Sequence, residues 1–256
     1  MGENLGQHFL TDNQVIEDIL DAGEIVASDT ILEIGPGNGV LTENLLKKAG
    51  RVIAVEKDPK LAEKLQTDFE SQIAANKLKI LHEDIRDITL EDTEIRTNNY
   101  KIIANIPYYL TSDILQQFLA HENQPQRMVL LTQKEVAKRI TCADDKHSRL
   151  SIFVQAYGNP ELVRVVKKNS FNPSPKVDSA ILKITNISRD FFADISEKAF
   201  FDLIRAGFQH KRKQLKNNLS THTKSGTKLF GKCDIKKTAR AENLTLKDWR
   251  CIAKHA

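Results

Sequence analysis

From Thr30 onward, short β-rich runs alternate with helical patterns, and this alternation constrains the fold more than any other feature of the chain. ILEI (31–34), RVIAV (51–55), LKIL (78–81), KIIA (101–104) and RMVLL (127–131) read as buried strands. Between them, 40–49, 60–75, 111–120 and 133–141 read as amphipathic helices; in the second, Leu61, Leu65, Phe69 and Ile73 recur every fourth residue. Strands alternating with helices predict an α/β fold, with a parallel sheet, right-handed crossovers and helices on both faces. Residues 161–168 and 177–184 predict a terminal hairpin around the loop FNPSPK. After Ile184 the β signal stops, and 196–219 and 245–254 carry helical patterns. Two domains are expected: 1–185, which holds the sheet, and 186–256, which is small and helical.

Charge divides the chain at the same place. The net charge is only +4, but residues 186–256 carry 16 Lys and Arg against 7 Asp and Glu, while the first 185 carry 22 against 27. A sign reversal between two parts of one chain points to a polyanionic partner, nucleic acid first among them. Apolar stretches such as Met128 to Leu131 are far too short to cross a bilayer, and MGENLGQHFL has neither the basic nor the apolar region of a secretory signal. Cys142, Cys233 and Cys251 lie far apart with no CxxC, so reduced thiols in a cytoplasmic protein are expected. The seven histidines show no HxxxH or HExxH spacing, and no metal site is expected.

The first strand runs into Glu33-Ile34-Gly35-Pro36-Gly37-Asn38-Gly39 and then a helix. A strand, a tight glycine turn and a helix N-terminus make a general ligand platform at the carboxyl edge of a sheet. A dinucleotide fingerprint requires GxGxxG; here the glycines stand at 35, 37 and 39, with Val40 in the last place. Glu56 ends the second strand, where a carboxylate accepts ribose hydroxyl protons. Asp84 follows the third strand in HEDIRD, placed to receive an adenine amino group. Each acid alone reads as a solvated loop residue; three signals at three successive strand ends point to an adenosyl ligand, with NAD left open.

The fourth strand ends in Asn105-Ile106-Pro107-Tyr108, which indicates the chemistry. The lone pair of an adenine amino nitrogen is delocalised into its ring. Two acceptors on its protons pull the nitrogen towards tetrahedral geometry and aim the lone pair at a methyl carbon. The Asn105 side-chain oxygen and the Pro107 main-chain carbonyl are such acceptors, and proline keeps the preceding residue extended. Tyr108 offers a face for an extruded base, worth about 1–3 kcal/mol. Neither Asn nor Pro is a base, so the expected mechanism is positioning, not proton abstraction. A β-turn with an incidental aromatic is the bland alternative.

GQHFL (6–10), EIGPGNG (33–39), VEKD (55–58), HED (82–84), NIPYYLTSDIL (105–115), QKEVAKRI (133–140) and FNPSPKVDSAILKI (171–184) resemble the ribosomal small-subunit RNA adenine dimethyltransferases, the KsgA/RsmA family. FQHKRKQLKNNL (208–219) and AENLTLKDW (241–249) extend the resemblance over nearly the whole chain. It implies a Rossmann-like class I methyltransferase sheet with a small C-terminal helical domain. S-adenosylmethionine is the implied methyl donor. Two adjacent adenosines near the 3′ end of small-subunit rRNA are the implied substrate, each receiving two methyls. A monomer working on rRNA in the cytoplasm, coupled to assembly of the immature small subunit, is implied as well. By the same resemblance His8, Leu10 and Gly37 touch the donor, Gly35 lies beside its methionine part, Glu56 on the ribose and Asp84 on the adenine. Asn105 stands between donor and target, and Phe171 packs on the target base opposite Tyr108; without the resemblance Phe171 reads as core. One departure is His8, where the family usually has Asn.

Rival readings are weaker. A large-subunit dimethyltransferase of the erythromycin-resistance type shares the NIPY chemistry but not the C-terminal segments. DNA adenine methyltransferases typically carry a second proline after the Asn, where this chain has Ile106. A non-catalytic assembly or transcription factor would have no need of intact donor motifs. Finally, Arg205, Lys211, Arg212, Lys213 and Lys216 fall in a stretch without an acidic residue, spaced so that several share one helical face. Beside the reading of a solvated face stands that of an RNA phosphate-binding surface.

Overall fold

The computed structural model describes residues 7–96, 98–220 and 228–256, the Lys228 side chain excepted. Gly6 of the GQHFL segment and residues 221–227 of the basic region therefore lie outside it. The chain forms two units, Met1–Ala137 with Pro160–Ile187, and Lys138–Asn159 with Ser188–Ala256.

In the first unit, apolar runs that alternate with helices become a sheet buried along its length. β1 (Phe9–Leu10) and α1 (Asn13–Gly23) precede β2 (Thr30–Ile34), α2 (Val40–Lys48), β3 (Arg51–Glu56), α3 (Pro59–Asp68), α4 (Glu70–Ala74) and β4 (Leu78–His82). β5 (Tyr100–Asn105), α5 (Thr111–Leu119) and β6 (Arg127–Gln133) follow, and β6 runs into α6 (Lys134–Ile140), within which the first unit gives way to the second. After α7 (Arg149–Tyr157) come β7 (Asn159–Val166), β8 (Phe171–Asn172) and β9 (Ser179–Thr185).

The sheet order is β4-β3-β2-β5-β6-β9-β7. Pairings from β4 through β6 are parallel, and β9 is antiparallel to β6 with Met128 opposite Ile184. All five predicted strands are present within two residues of their predicted limits. The chain starts in the middle at β2, winds outward through β3 and β4, then crosses to β5 on the other side of β2. The switch point between β2 and β5 is where such sheets bind ligands, at the carboxyl ends of the strands. Ile31, Val52, Ile103 and Leu131 belong to one buried cluster with Ile19, Leu45 and Leu65. Burying each such side chain contributes about 1.5–3 kcal/mol. Lys101, a charge within a buried strand, is satisfied by Asp29 Oδ2 and the Glu24 carbonyl, both at 2.7 Å.

The predicted helix over 60–75 is broken at Phe69, which leaves helical geometry (φ −115°, ψ 24°) and turns a buried ring toward Gly39. α1 and α7 carry clear N-caps, Asp12 accepting from the Gln14 amide and Ser148 exchanging bonds with Ser151, that sequence reading passed over.

The second unit differs from the expected 186–256 in taking in Lys138–Asn159. The reason is α7: Ile152 and Ala156 belong to the apolar cluster of the C-terminal helices, and the Phe153 and Tyr157 rings pack on Phe201. Those helices are α8 (Glu197–Gly207), α9 (Leu215–Asn218), α10 (Lys228–Lys232) and α11 (Leu246–His255). The single helix expected over 196–219 stops at Gly207, where an added Cβ would lie 2.3 Å from the fully buried Trp249 ring. Asn218 Nδ2 donates to the carbonyls of Gly207 (2.6 Å) and His210 (3.3 Å), pinning the intervening turn. Reduced thiols were the expectation from spacing; instead Cys233 and Cys251 form a disulfide, because the end of α10 meets α11 with the two Cα atoms 5.8 Å apart. No helix among the described residues is long and apolar enough to cross a membrane.

Candidate active site

A cleft opens at the switch point, between the β2–α2 turn and the segment after β5. Glu33, Gly35, Gly37, Glu56, Asn105 and Tyr108 line it, and His8, Leu10 and Pro107 complete its wall. Gly35, Gly37 and Gly39 all have positive φ (69°, 59° and 83°), which only glycine adopts without strain. A Cβ on Gly37 would sit 3.0 Å from the Phe9 ring, so the N-terminal segment closes directly on the glycine turn. β1 is fixed there by pairing with β8, Leu10 opposite Phe171.

Glu56 is buried and pre-organised. Its Oε2 accepts the Gly37 amide (3.0 Å) and its Oε1 the Asp58 amide (2.9 Å). A carboxylate oxygen has two lone-pair sites, so one on each oxygen remains for a ribose diol. Removing such a charged acceptor costs about 1.5–3 kcal/mol. Glu56→Ala is therefore expected to weaken donor affinity by roughly 10- to 150-fold in a calorimetric titration, with RNA binding unchanged. Unaltered donor affinity would remove Glu56 from the site.

Glu33 is the residue that sequence reasoning missed as a site group. It is 1% exposed and lines the cleft; neither carboxylate oxygen makes a well-formed hydrogen bond, and the Thr42 hydroxyl, itself without a full partner, is close enough only to favour the ionised form in part. Burial, aided by the Glu56 charge, pushes its pKa up to about 8. A buried acid with unsatisfied oxygens costs stability unless a ligand supplies the partner. Glu33 is therefore largely protonated at neutral pH, and a donor carrying an ammonium group and a sulfonium charge would favour its ionisation on binding beside the glycine cradle.

At the far wall, Asn105 Nδ2 donates to the His8 carbonyl at 3.2 Å, which leaves Oδ1 as the amide atom for a substrate proton. The Pro107 carbonyl already accepts the Leu110 amide at 2.9 Å, so one of its lone pairs is spent in the turn. The Tyr108 hydroxyl bonds Ser179 Oγ at 2.7 Å, anchoring a half-buried ring; burial raises its pKa. The His8 ring lies 6.3 Å from that of Tyr108 at 28°, held through Nδ1 by the Pro173 carbonyl at 2.8 Å.

Two expected residues are placed elsewhere. Asp84 does not line this cleft. Arg86 holds it bidentately (3.0 and 2.6 Å) and Lys57 approaches to 3.2 Å, which keeps its carboxyl well below the usual range. An adenine amino group would have to displace one of these cations. Phe171, expected on the target base, is 4% exposed and belongs to the core cluster of Leu10, Leu131 and Ile181. Pairing of β8 with β1 turns that ring inward, so the reading from residues alone, core, describes this structure. The expectation of no metal site meets one candidate among the described residues, Cys233, Cys251 and His255 of the second unit.

Comparison with known proteins decides the family. The model of the ribosomal RNA adenine dimethylase family matches residues 2–256. The chain belongs to this family. It is 42% identical, over 98% of its length and 86% of the relative's, to a Dehalococcoides mccartyi protein named ribosomal RNA small subunit methyltransferase A. A Clostridium botulinum protein of the same name is 34% identical over 96% of this chain and 90% of its own. Among solved structures, a Plasmodium falciparum dimethyladenosine transferase superposes with a TM-score of 0.82 at 25% identity, covering 96% of each chain. The 23S rRNA methyltransferase ErmE shares the fold, with a TM-score of 0.79 at 22% identity over 96% of this chain and 99% of that one. The fold is thus the class I methyltransferase α/β fold, and the chain is an S-adenosylmethionine-dependent rRNA adenine dimethyltransferase.

Proposed function

We propose that this enzyme dimethylates two adjacent adenosines near the 3′ end of small-subunit rRNA, as a cytoplasmic monomer acting during assembly of the immature subunit. The observation that carries the reading is one cleft that joins the glycine turn, Glu33 and Glu56 to Asn105 and Tyr108. The bound donor supplies an activated methyl on a sulfonium. The protein contributes position: Gly35 and Gly37 admit the donor's methionine part, Glu56 orients the ribose, and Asn105 Oδ1 with the Pro107 carbonyl holds the amino group. Tyr108 supplies the stacking face. His8 and Leu10 close the cleft from β1, and Asp84 would reach the adenine once Arg86 or Lys57 yields. Phe171 would act only by supporting β1 from the core. Incubation of labelled donor with undermethylated small subunits, with deproteinised small-subunit rRNA and with large subunits tests the substrate. Label confined to the small-subunit samples is expected; label in large-subunit rRNA would overturn it.

Arg205, Lys211, Arg212, Lys213 and Lys216 are proposed to hold rRNA phosphates. The expected helical face does not exist, since α8 ends at Gly207 and α9 begins at Leu215. Lys211, Arg212 and Lys213 sit instead in the exposed turn pinned by Asn218, while Arg205 stays on α8 beside Asp202. A turn that fans three cations outward suits an irregular phosphate path as well as a helix does. Each phosphate neutralised adds about 0.7–0.9 to the slope of log affinity against log salt. Changing Lys211, Arg212 and Lys213 together to Gln is expected to flatten that slope by roughly two units, with donor affinity untouched. A wild-type slope would show that the turn does not face the RNA.

A further inference from the structure

We propose that Cys233, Cys251 and His255 form a binding site for a thiophilic divalent cation, zinc above all, and that the disulfide is its oxidised, metal-free state. One ligand atom from each residue lies within 4.8 Å of the others. Cys251 and His255 are four residues apart on α11 and so share a face. Their Sγ and Nδ1 atoms are 3.9 Å apart; Nδ1 here donates to the Cys251 carbonyl at 3.0 Å, a bond that ligation through Nδ1 would replace as the ring changes tautomer. Two ligands of a tetrahedral zinc, at about 2.3 Å for sulfur and 2.0–2.1 Å for nitrogen, stand roughly 3.5 Å apart. Cys233 arrives from the end of α10 with its Cα 5.8 Å from that of Cys251. The two cysteines are half-buried and His255 is exposed, which gives a cation access and leaves its fourth position to water. Of the neighbouring cations, Arg250 and Lys254 both pair with Asp194, and Lys232 beside Cys233 is exposed to solvent that screens it.

Compartment and architecture favour the metal. In the cytoplasm proposed above the protein meets dithiol reductants, and there a cysteine pair serves as metal ligands more readily than as a lasting disulfide. Reduction breaks the Sγ–Sγ bond with two electrons and two protons from a dithiol, which itself closes to a disulfide. The cation then displaces the two thiol protons. α10 has five residues, too few to persist alone. Its Leu229 and Phe230 pack in one cluster with Trp249 and Ile252 of α11, so a metal between Cys233 and Cys251 fastens the two helices that share this core. The ion is a structural clasp of the second unit, and the donor cleft belongs to the first.

Cobalt(II) titration of the full-length protein, kept reduced and anaerobic, tests the site by its thiolate-to-cobalt charge-transfer absorption. One equivalent is expected to bind and to be displaced by zinc, and the protein with its disulfide intact is expected to bind none. Cys233→Ser with Cys251→Ser should abolish the band. His255→Ala, at an exposed position that leaves the core untouched, should weaken cobalt binding by roughly tenfold or more, about 1.4 kcal/mol of lost ligation. No band in the reduced wild type would overturn the proposal. So would a band that survives in the double variant, where Cys142 is the remaining thiol, or wild-type cobalt affinity in His255→Ala. Absence of the metal site leaves donor binding and methylation as they are, so it is distinguishable from failure of the proposed function.

Discussion

Asn105→Ala is expected to slow methyl transfer by roughly 10²- to 10³-fold, the usual loss when one pre-organised hydrogen-bonding group at a reacting centre is removed. The fold should survive. Asn105 ends β5 at the rim of the sheet, and its side chain makes one bond, to the His8 carbonyl, worth about 0.5–1.5 kcal/mol. The β2–β5 and β5–β6 pairings use backbone atoms that alanine retains. Tyr108→Phe should keep most of the activity, because it loses the Ser179 bond and keeps the ring, whereas Tyr108→Ala should lose most of it. Single-turnover rates at saturating donor separate these outcomes from donor binding. A wild-type rate in Asn105→Ala would sink the positioning mechanism.

Glu33 carries the second large effect, in the pH dependence of stability. Its folded pKa is about 8 against an ordinary glutamate value of 4.5. Below the lower value both states are protonated and the group is neutral in its effect. As pH rises the unfolded chain ionises first, so the folded state loses stability until pH passes about 8. The slope approaches about 1.4 kcal/mol per pH unit, or several kcal/mol over the whole window. Glu33→Gln keeps the shape and removes the titration. Denaturant unfolding of the donor-free protein between pH 5 and 8, a range of about three units within that window, should show the wild type falling relative to the variant. Parallel curves would mean that Glu33 is ionised in the fold and that its orphaned oxygens have a partner. The variant should also bind the donor more weakly, since an amide cannot ionise to meet an ammonium group, as Glu33 can when the cation lowers its pKa.

What could be read from sequence was what depends on local pattern. The five parallel strands are apolar along their length because helices cover such sheets, so they stand out without alignment. The glycine turn and Glu56 follow from the geometry of a strand end. Features that depend on distant pairing did not show. β1 and β8 are two residues each and lie about 160 positions apart, so nothing in either predicts that Leu10 faces Phe171. That pairing decides that Phe171 points into the core and that Phe9 closes on Gly37. Asp84 stands where a strand end puts it, but Arg86, two residues on, takes both its oxygens. The break in the 196–219 helix had a signal in Gly207, whose reason, the Trp249 ring, comes from 42 residues away. Glu33 reads as part of a motif, and only its burial without a well-formed hydrogen bond marks it as a group waiting for a ligand.

Base choice and position are tested together by mass spectrometry of nucleosides and oligonucleotides from small-subunit rRNA, first undermethylated and then treated with this protein and S-adenosylmethionine. N6,N6-dimethyladenosine is expected at two adjacent positions near the 3′ end, absent from the untreated RNA and from RNA treated with Asn105→Ala. Unmodified adenosine at those positions, or methyl groups found only on other bases, would contradict the proposed function.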